Sequence, residues 1–473
     1  MKRLTLALSM PWASALSQTA MPAQPRSARA IDMSATVRYD TLFRQWSSDS
    51  TPGCAVGVMR NGAFVYGRGF GMSDIASRSR MATSTILGAG SLSKQFTAFA
   101  LAKLAEAGRL SPEDDVRRYI GELPNYGATI RVRDLLNHTS GIRDYLSMIA
   151  LSGRDPEGRV SRVAALNLIV RQRALNHSPG STYSYSNSNY FLLALIVERV
   201  TAMPFAHYMR DSVFLPQGMR HTRFALDGDV SVGQAESYRR TDDGRLEQVA
   251  IAGMLSGEGG AYTTIDDMLR WEQMLRRSGA LVNRFREPGR FPDGRAIGYG
   301  WGTEFNSYRT VSTEGHGGTW GGFRAYYLRF PSLGVATVAL CNQLEISPFQ
   351  LTRRLADAAM GSELAPRAEP IPPPVTPTNG ARVTTPSVAR SEVEALLGRF
   401  VSEELDATFE LTHANGRLQL RAEWSDPIVL SVAHRDTLVA QNRQLIVHRN
   451  DTGRATSLIL NSGRVKGVRF NRR

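Results

Sequence analysis

The chain has 473 residues, 42% hydrophobic and 21% charged, enough for two or three globular domains with buried cores. Its formal charge of +14 comes from arginines scattered along the chain, never more than two together, without a basic run or a nucleic-acid module, so a nucleic-acid or surface-adhesion protein ranks last among the function classes. Two cysteines exclude a disulfide-framework fold, and eight dispersed histidines without ligand spacing leave no metal site to assign.

The N-terminus, MKRLTLALSMPWASAL, has a basic start, a short apolar stretch and small residues, and resembles a secretory signal peptide over residues 1–30. Export to the periplasm or beyond is therefore expected. No later stretch reaches the roughly 18 apolar residues of a membrane span, so no integral span is expected. Residues 54–71 predict two strands turning at Asn61-Gly62. A helix is predicted over 91–107, ending at Gly108. Another is predicted to restart at SPEDDVRRYI, with Ser111 as cap and Pro112 in the first turn. NSNYFLLALIVERVT, residues 187–201, is too continuously apolar for a surface helix. GGFRAYYLRF and GVATVALCN predict a hairpin about Pro331-Ser332. Cys54 and Cys341 both fall in strand-like runs, and a bridge forms only if those strands pair.

Strands at both ends of this region, with helices between them, predict an α/β or α+β body over about 35–360. The proline-rich run inside residues 361–392 reads as an extended linker. Short alternating strands over 393–473, punctuated by Asn415-Gly416, Asn450-Asp451 and Ser462-Gly463, predict a small antiparallel barrel.

Only four lysines occur, at 2, 94, 103 and 466, against 53 arginines. Lys94 stands three residues after Ser91 at a helix start, so both share one face. A serine hydroxyl needs a base before it becomes a nucleophile, and lysine, unlike arginine, can be held neutral. Tyr185 in YSN, residues 185–187, offers a proton relay, and Asn187 offers hydrogen bonds to a substrate amide or to Lys94. In EGHGGTW, His316 can donate to a substrate, Gly318 permits close backbone approach, and an amide near Thr319 can complete an oxyanion hole with that of Ser91.

Together S-x-x-K, Y-x-N and H-G-G resemble the serine β-lactamase and penicillin-binding-protein superfamily, and within it the class C β-lactamase-related branch. PGCAVGVMRNG, LLNHTSGI, FLPQGMRHT, GEGGAYTTIDDMLRW and YGWG extend the resemblance across about residues 38–360. It implies an antiparallel sheet flanked by helices, with an additional all-helical region. It also implies Ser91 as acylated nucleophile, Lys94 and Tyr185 as the proton-transfer pair, and Asn187, His316, Gly318 and Thr319 as substrate contacts. No metal or cofactor is implied, and the partner is a small-molecule or peptide substrate rather than nucleic acid. Histidine at 316, where related β-lactamases hold lysine to engage the substrate carboxylate, carries less charge at neutral pH. It argues against an efficient β-lactamase and leaves open an amide or ester substrate of the D-amino-acid peptide, β-lactam-like or short-chain ester kind. His138 reads as structural, since the family repeats its phrase away from the chemistry, and Glu258 reads as a loop acid, with an extra site residue as the alternative. The tail from 393 resembles the lipocalin-like domains of D-aminopeptidase-like members. The alternative is a penicillin-binding or peptidoglycan-sensing protein with little turnover. The residues carry no signal for oligomeric state.

Overall fold

Cys54–Arg60 (β1) and Ala63–Phe70 (β2) form the first hairpin. Its turn has positive φ at both Asn61 (53°) and Gly62 (76°), the conformation that Asn-Gly tolerates best. The structure is a computed structural model and describes residues 33–46, 48–158, 160–224, 234–250, 255–277, 279–366 and 390–473. The expected leader over 1–30 and most of the expected linker over 361–392 lie outside the described residues.

Tyr299–Gly300 (β3), Thr303–Tyr308 (β4), Val311–Trp320 (β5), Phe323–Phe330 (β6) and Val335–Cys341 (β7) complete an antiparallel sheet in the order β3-β4-β5-β6-β7-β1-β2. The N-terminal strand thus pairs with the last strand of the region, which places Cys54 opposite Cys341, and the two form a disulfide. Side chains of β1 alternate between two buried faces. Val56 and Val58 pack with Phe43, Leu351 and Leu355, whereas Ala55 and Met59 enter the main core. Pro348–Met360 forms the helix on the first face. Ile265–Leu275 covers the second so closely that a Cβ on Gly57 would lie 2.8 Å from Ile265 Cγ2.

Behind that second face lie Ser93–Glu106 (α1) and Asn187–Thr201 (α2), each buried almost all round for most of its length, as their unbroken apolar character requires. Residues 91 and 92 belong to a 3₁₀ turn, Gly90–Leu92, that precedes α1, so the helix starts two residues later than expected.

The helix expected to restart at Ser111 does not form. The Asp114 carboxylate accepts from the Ser111 amide and the Tyr119 hydroxyl. Meanwhile Val116 and Val132 N–H donate to Ile130 and Asp114 carbonyls, and Arg133 N–H to Pro112. Pairing with residues 130–133 satisfies the backbone that a helix would have needed, leaving one 3₁₀ turn at Val116–Arg118.

The C-terminal region is a nine-stranded antiparallel sheet spanning Gly398 to Arg472. Its two edge strands, Ile428–Val429 and Ser431–His434, are consecutive in the chain, so the sheet curls into a nearly closed barrel. The barrel's apolar interior is continuous with the main core of the preceding region. Among the described residues no single helix is long and apolar enough to cross a membrane.

Candidate active site

Ser91 sits on the 3₁₀ turn at the mouth of α1, partly exposed, while Lys94 one turn on is fully buried. The Lys94 amine has three neighbours: Ser91 Oγ at 3.1 Å, Asn187 Oδ1 at 2.9 Å and the Glu258 carbonyl at 2.6 Å. A neutral amine placed here donates its two hydrogens to the amide and carbonyl oxygens and turns its lone pair toward Ser91. Burial pushes Lys94 down to about 7, against the opposing pull of the Glu258 and Asp144 carboxylates and with a smaller push from Arg464.

Asn187 opens α2, and its orientation is set from outside the helix. Asp144 Oδ2 accepts from both the Asn187 backbone N–H at 2.6 Å and its Nδ2 at 2.9 Å. The side-chain oxygen is thereby turned toward Lys94. The other Asp144 oxygen accepts from Ser147 N at 2.8 Å, so Asp144 also caps the helix Tyr145–Leu151. Glu258 is wholly buried; its carboxylate accepts from the Tyr145 hydroxyl at 2.5 Å, and burial pushes it up to about 7. Its second oxygen has no hydrogen-bond partner among the described residues. Glu258 does lie in a turn, as a loop acid would, but it is buried and its carbonyl accepts from Lys94, so the alternative of an extra site residue is the one the geometry favours.

Tyr185 stands over the same amine, with Lys94 Nζ 4.8 Å from its ring centroid, and its hydroxyl interacts with Ser91. Burial raises the phenol well above its ordinary value, so at neutral pH it is a proton donor rather than a phenolate. His138 packs against it at 4.3 Å between ring centroids. Its Nδ1 accepts from the Ser186 amide and lies 3.1 Å from Asn189 Nδ2, and burial holds the ring neutral. His138 is thus a packing residue, as its structural reading expects, but it stands beside the site rather than away from it, against the ring of Tyr185.

His316 on β5 is buried, with Nδ1 2.6 Å from the Gly317 carbonyl and Nε2 3.1 Å from the Tyr299 hydroxyl. Donating from Nδ1 leaves Nε2 to accept, which describes a neutral imidazole, and burial lowers its pKa accordingly. A basic contact at 316 is therefore replaced by a neutral ring that orients Tyr299. Downstream, β5 presses its backbone on the Ser91 turn. A Cβ on Gly318 would lie 1.9 Å from the Ala89 carbonyl, and one on Gly90 2.5 Å from the Thr319 nitrogen. Only glycines permit this approach, which brings the Thr319 amide beside the residue preceding Ser91.

All seven expected residues thus converge. Ser93 takes no part: its hydroxyl donates to the Gly90 carbonyl at 2.6 Å and accepts from Ala261 N. Asp144, Tyr145, Tyr299 and Arg464 complete the surroundings; of these only Tyr299 falls in a phrase of the family resemblance, YGWG, and none belongs to the three motifs. Among the described residues no group of three or more His, Cys, Asp or Glu side chains is placed to hold a metal ion. A separate cleft of about 670 Å³, lined by Arg109, Arg118, Arg133 and Trp301, contains none of the seven.

The chain is 31% identical to a D-aminopeptidase of Brucella ovis over 326 residues, covering 68% of this chain and 61% of that protein. It therefore spans about three fifths of the length of that curated relative. The solved structures that share its fold include two of note. One is the octameric penicillin-binding protein homologue from Pyrococcus abyssi, with TM-score 0.62 and 21% identity over 93% of this chain and 99% of that one. The other is the D-amino acid amidase from Ochrobactrum anthropi SV3, with TM-score 0.58 and 20% identity over 70% and 99%. The family model described as Beta-lactamase matches residues 39–360, and with the sheet, helices and Ser91 turn laid out above, the chain belongs to the β-lactamase family.

Proposed function

We propose that the chain is a serine hydrolase that cleaves small amides or esters of D-configured amino acids through an acyl-enzyme. The observation that carries this reading is a buried lysine amine, held near neutrality, 3.1 Å from a partly exposed serine hydroxyl. Ser91 Oγ attacks the substrate carbonyl while its proton passes to Lys94. The developing oxyanion is met by the Ser91 and Thr319 amides. Tyr185, protonated, gives its proton to the leaving nitrogen or oxygen and is restored from the Lys94 ammonium. Water then repeats the sequence on the ester, releasing the acid and free Ser91. Asn187 keeps the amine aimed, and His138 keeps the phenol in place.

D-configuration and an amide bond as preferred target are supported by the D-aminopeptidase relative and the D-amino acid amidase fold. Export is part of the same proposal, supported by the basic-then-apolar N-terminus and by a disulfide that suits an oxidising compartment. A mature N-terminus beginning after the leader, recovered from the periplasmic or extracellular fraction, would bear it out.

The test is labelling by a fluorophosphonate probe and turnover of D- and L-amino acid p-nitroanilides and p-nitrophenyl acetate. Labelling and turnover are expected for the native chain and neither for Ser91→Ala. Labelling that survives in Ser91→Ala sinks the assignment. A stoichiometric burst without turnover would instead favour the penicillin-binding reading.

A further inference from the structure

The barrel turn Ser462-Gly463-Arg464, between strands Ala455–Ser462 and Val465–Arg472, reaches the catalytic residues. Gly463 takes φ 48° at its tip. The turn is tied down on both sides. Asn176 Nδ2 donates to the Arg464 carbonyl at 2.8 Å, and Asn176 Oδ1 accepts from Lys466 N at 2.9 Å. Arg143 Nε donates to the Lys466 carbonyl at 2.9 Å, anchored in turn by its buried ion pair with Glu404 at 2.6 Å.

So held, Arg464 lays its guanidinium on Tyr185, its central carbon 4.7 Å from the ring centroid. Lys94 Nζ lies 4.8 Å from the same centroid. The side chain is exposed, and among the described residues its guanidinium has no carboxylate partner, whereas neighbouring Arg143 and Arg173 are both ion-paired. Of the carboxylates facing the site, Asp144 is occupied by Asn187 and Ser147, Glu258 by Tyr145, and Glu304 by the Tyr326 hydroxyl. The third motif supplies no cation, because His316 is neutral and buried.

We infer that Arg464 is a specificity-determining residue contributed by the barrel, and that it binds a free carboxylate on the leaving portion of the substrate. This rests on the hydrolase reading above, in which Tyr185 protonates the leaving group; a cation stacked on that phenol lies on the leaving-group side. A residue of extended peptide spans about 3.4 Å, so the carboxylate stands one or two residues past the scissile bond. Guanidinium and carboxylate pair through parallel hydrogen bonds, a geometry that a single ammonium cannot copy. The substrate class is accordingly a short peptide with a free C-terminus, and an ammonium at the same place is repelled.

The experiment measures binding of N-acetyl-D-alanyl-D-alanine and of its C-terminal amide by calorimetry. It uses the full chain as Ser91→Ala, which prevents turnover, alone and combined with Arg464→Gln or Arg464→Glu. The acid is expected to bind about tenfold to a hundredfold tighter than the amide when Arg464 is present, equally in Arg464→Gln, and more weakly in Arg464→Glu. Comparing two ligands on one protein cancels any general loss of fold. Equal binding of acid and amide with Arg464 present, binding of neither, or a preference for the acid that persists in Arg464→Glu would overturn the inference. Failure of the hydrolase reading registers separately, as absent fluorophosphonate labelling of the native chain.

Discussion

In the proposed mechanism the chemistry depends on Lys94, whose amine is buried and held by two hydrogen-bond acceptors. Since burial lowers it to about 7 and the neutral form is the base, kcat/KM for acylation should rise about tenfold per pH unit on the acid side and level off above about 7. A flat profile across pH 5–8 would contradict this assignment. Lys94→Arg keeps a positive charge but offers no lone pair, and should lower kcat/KM by about 10²–10⁴. Glu258 sharpens the sign. Its carboxylate favours the ammonium form, so Glu258→Gln should move the acid limb of the profile to lower pH. A shift to higher pH would show that Glu258 acts by some route other than its charge on Lys94.

At the scale of elements, the site is a junction between a short turn and a strand edge. The 3₁₀ turn Gly90–Leu92 presents Ser91, and β5 presses against it at Gly318. A methyl group at 318 would meet the Ala89 carbonyl, which is rigid backbone, so the strand must retreat. Gly318→Ala is therefore expected to lower kcat by about 10²–10³, the range for loss of an oxyanion donor, while far-UV circular dichroism stays native. Full activity would mean that the Thr319 amide does not serve the oxyanion. The hairpins that meet at this sheet were legible in the residues: Asn61-Gly62 and Pro331-Ser332 both turn where local chemistry says they should. The missing helix at 111–120 had equally good local signals and lost to pairing with residues 130–133, a partner its own window does not contain.

For the molecule as a whole, the barrel is bound into the β-lactamase-family region rather than appended to it. Arg143 is buried between them, bonded to Gln172, Glu404 and the Lys466 carbonyl, and it immediately precedes Asp144, which aims Asn187. Arg143→Ala leaves Glu404 buried without its partner and should cost about 3–5 kcal/mol, read from urea unfolding followed by tryptophan fluorescence. A loss within about 0.5 kcal/mol, the range of an ordinary surface substitution, would show that this ion pair does not help hold the barrel in place.

Serine, lysine, tyrosine and asparagine in S-x-x-K and Y-x-N were legible because their chemistry is local: one helical turn joins Ser91 to Lys94, and two residues join Tyr185 to Asn187. The strand–helix–strand order and the barrel were legible for the same reason, through turns and periodicity that each window carries within itself. What tertiary structure alone decided is the environment of those groups. Burial lowers Lys94 to about 7 and keeps Tyr185 and His316 neutral, and the fold brings the Glu258 carbonyl, 164 residues from Lys94 in the chain, onto its amine. The disulfide likewise waited on β1 meeting β7 across 287 residues. Arg464 lies further still from the motifs, on a barrel turn that reads as an ordinary Gly-Arg hairpin until docking sets its charge over Tyr185. Residue type and local spacing declare which groups can react, whereas desolvation and long-range charge, which select among their protonation states, exist only once distant segments exclude water together.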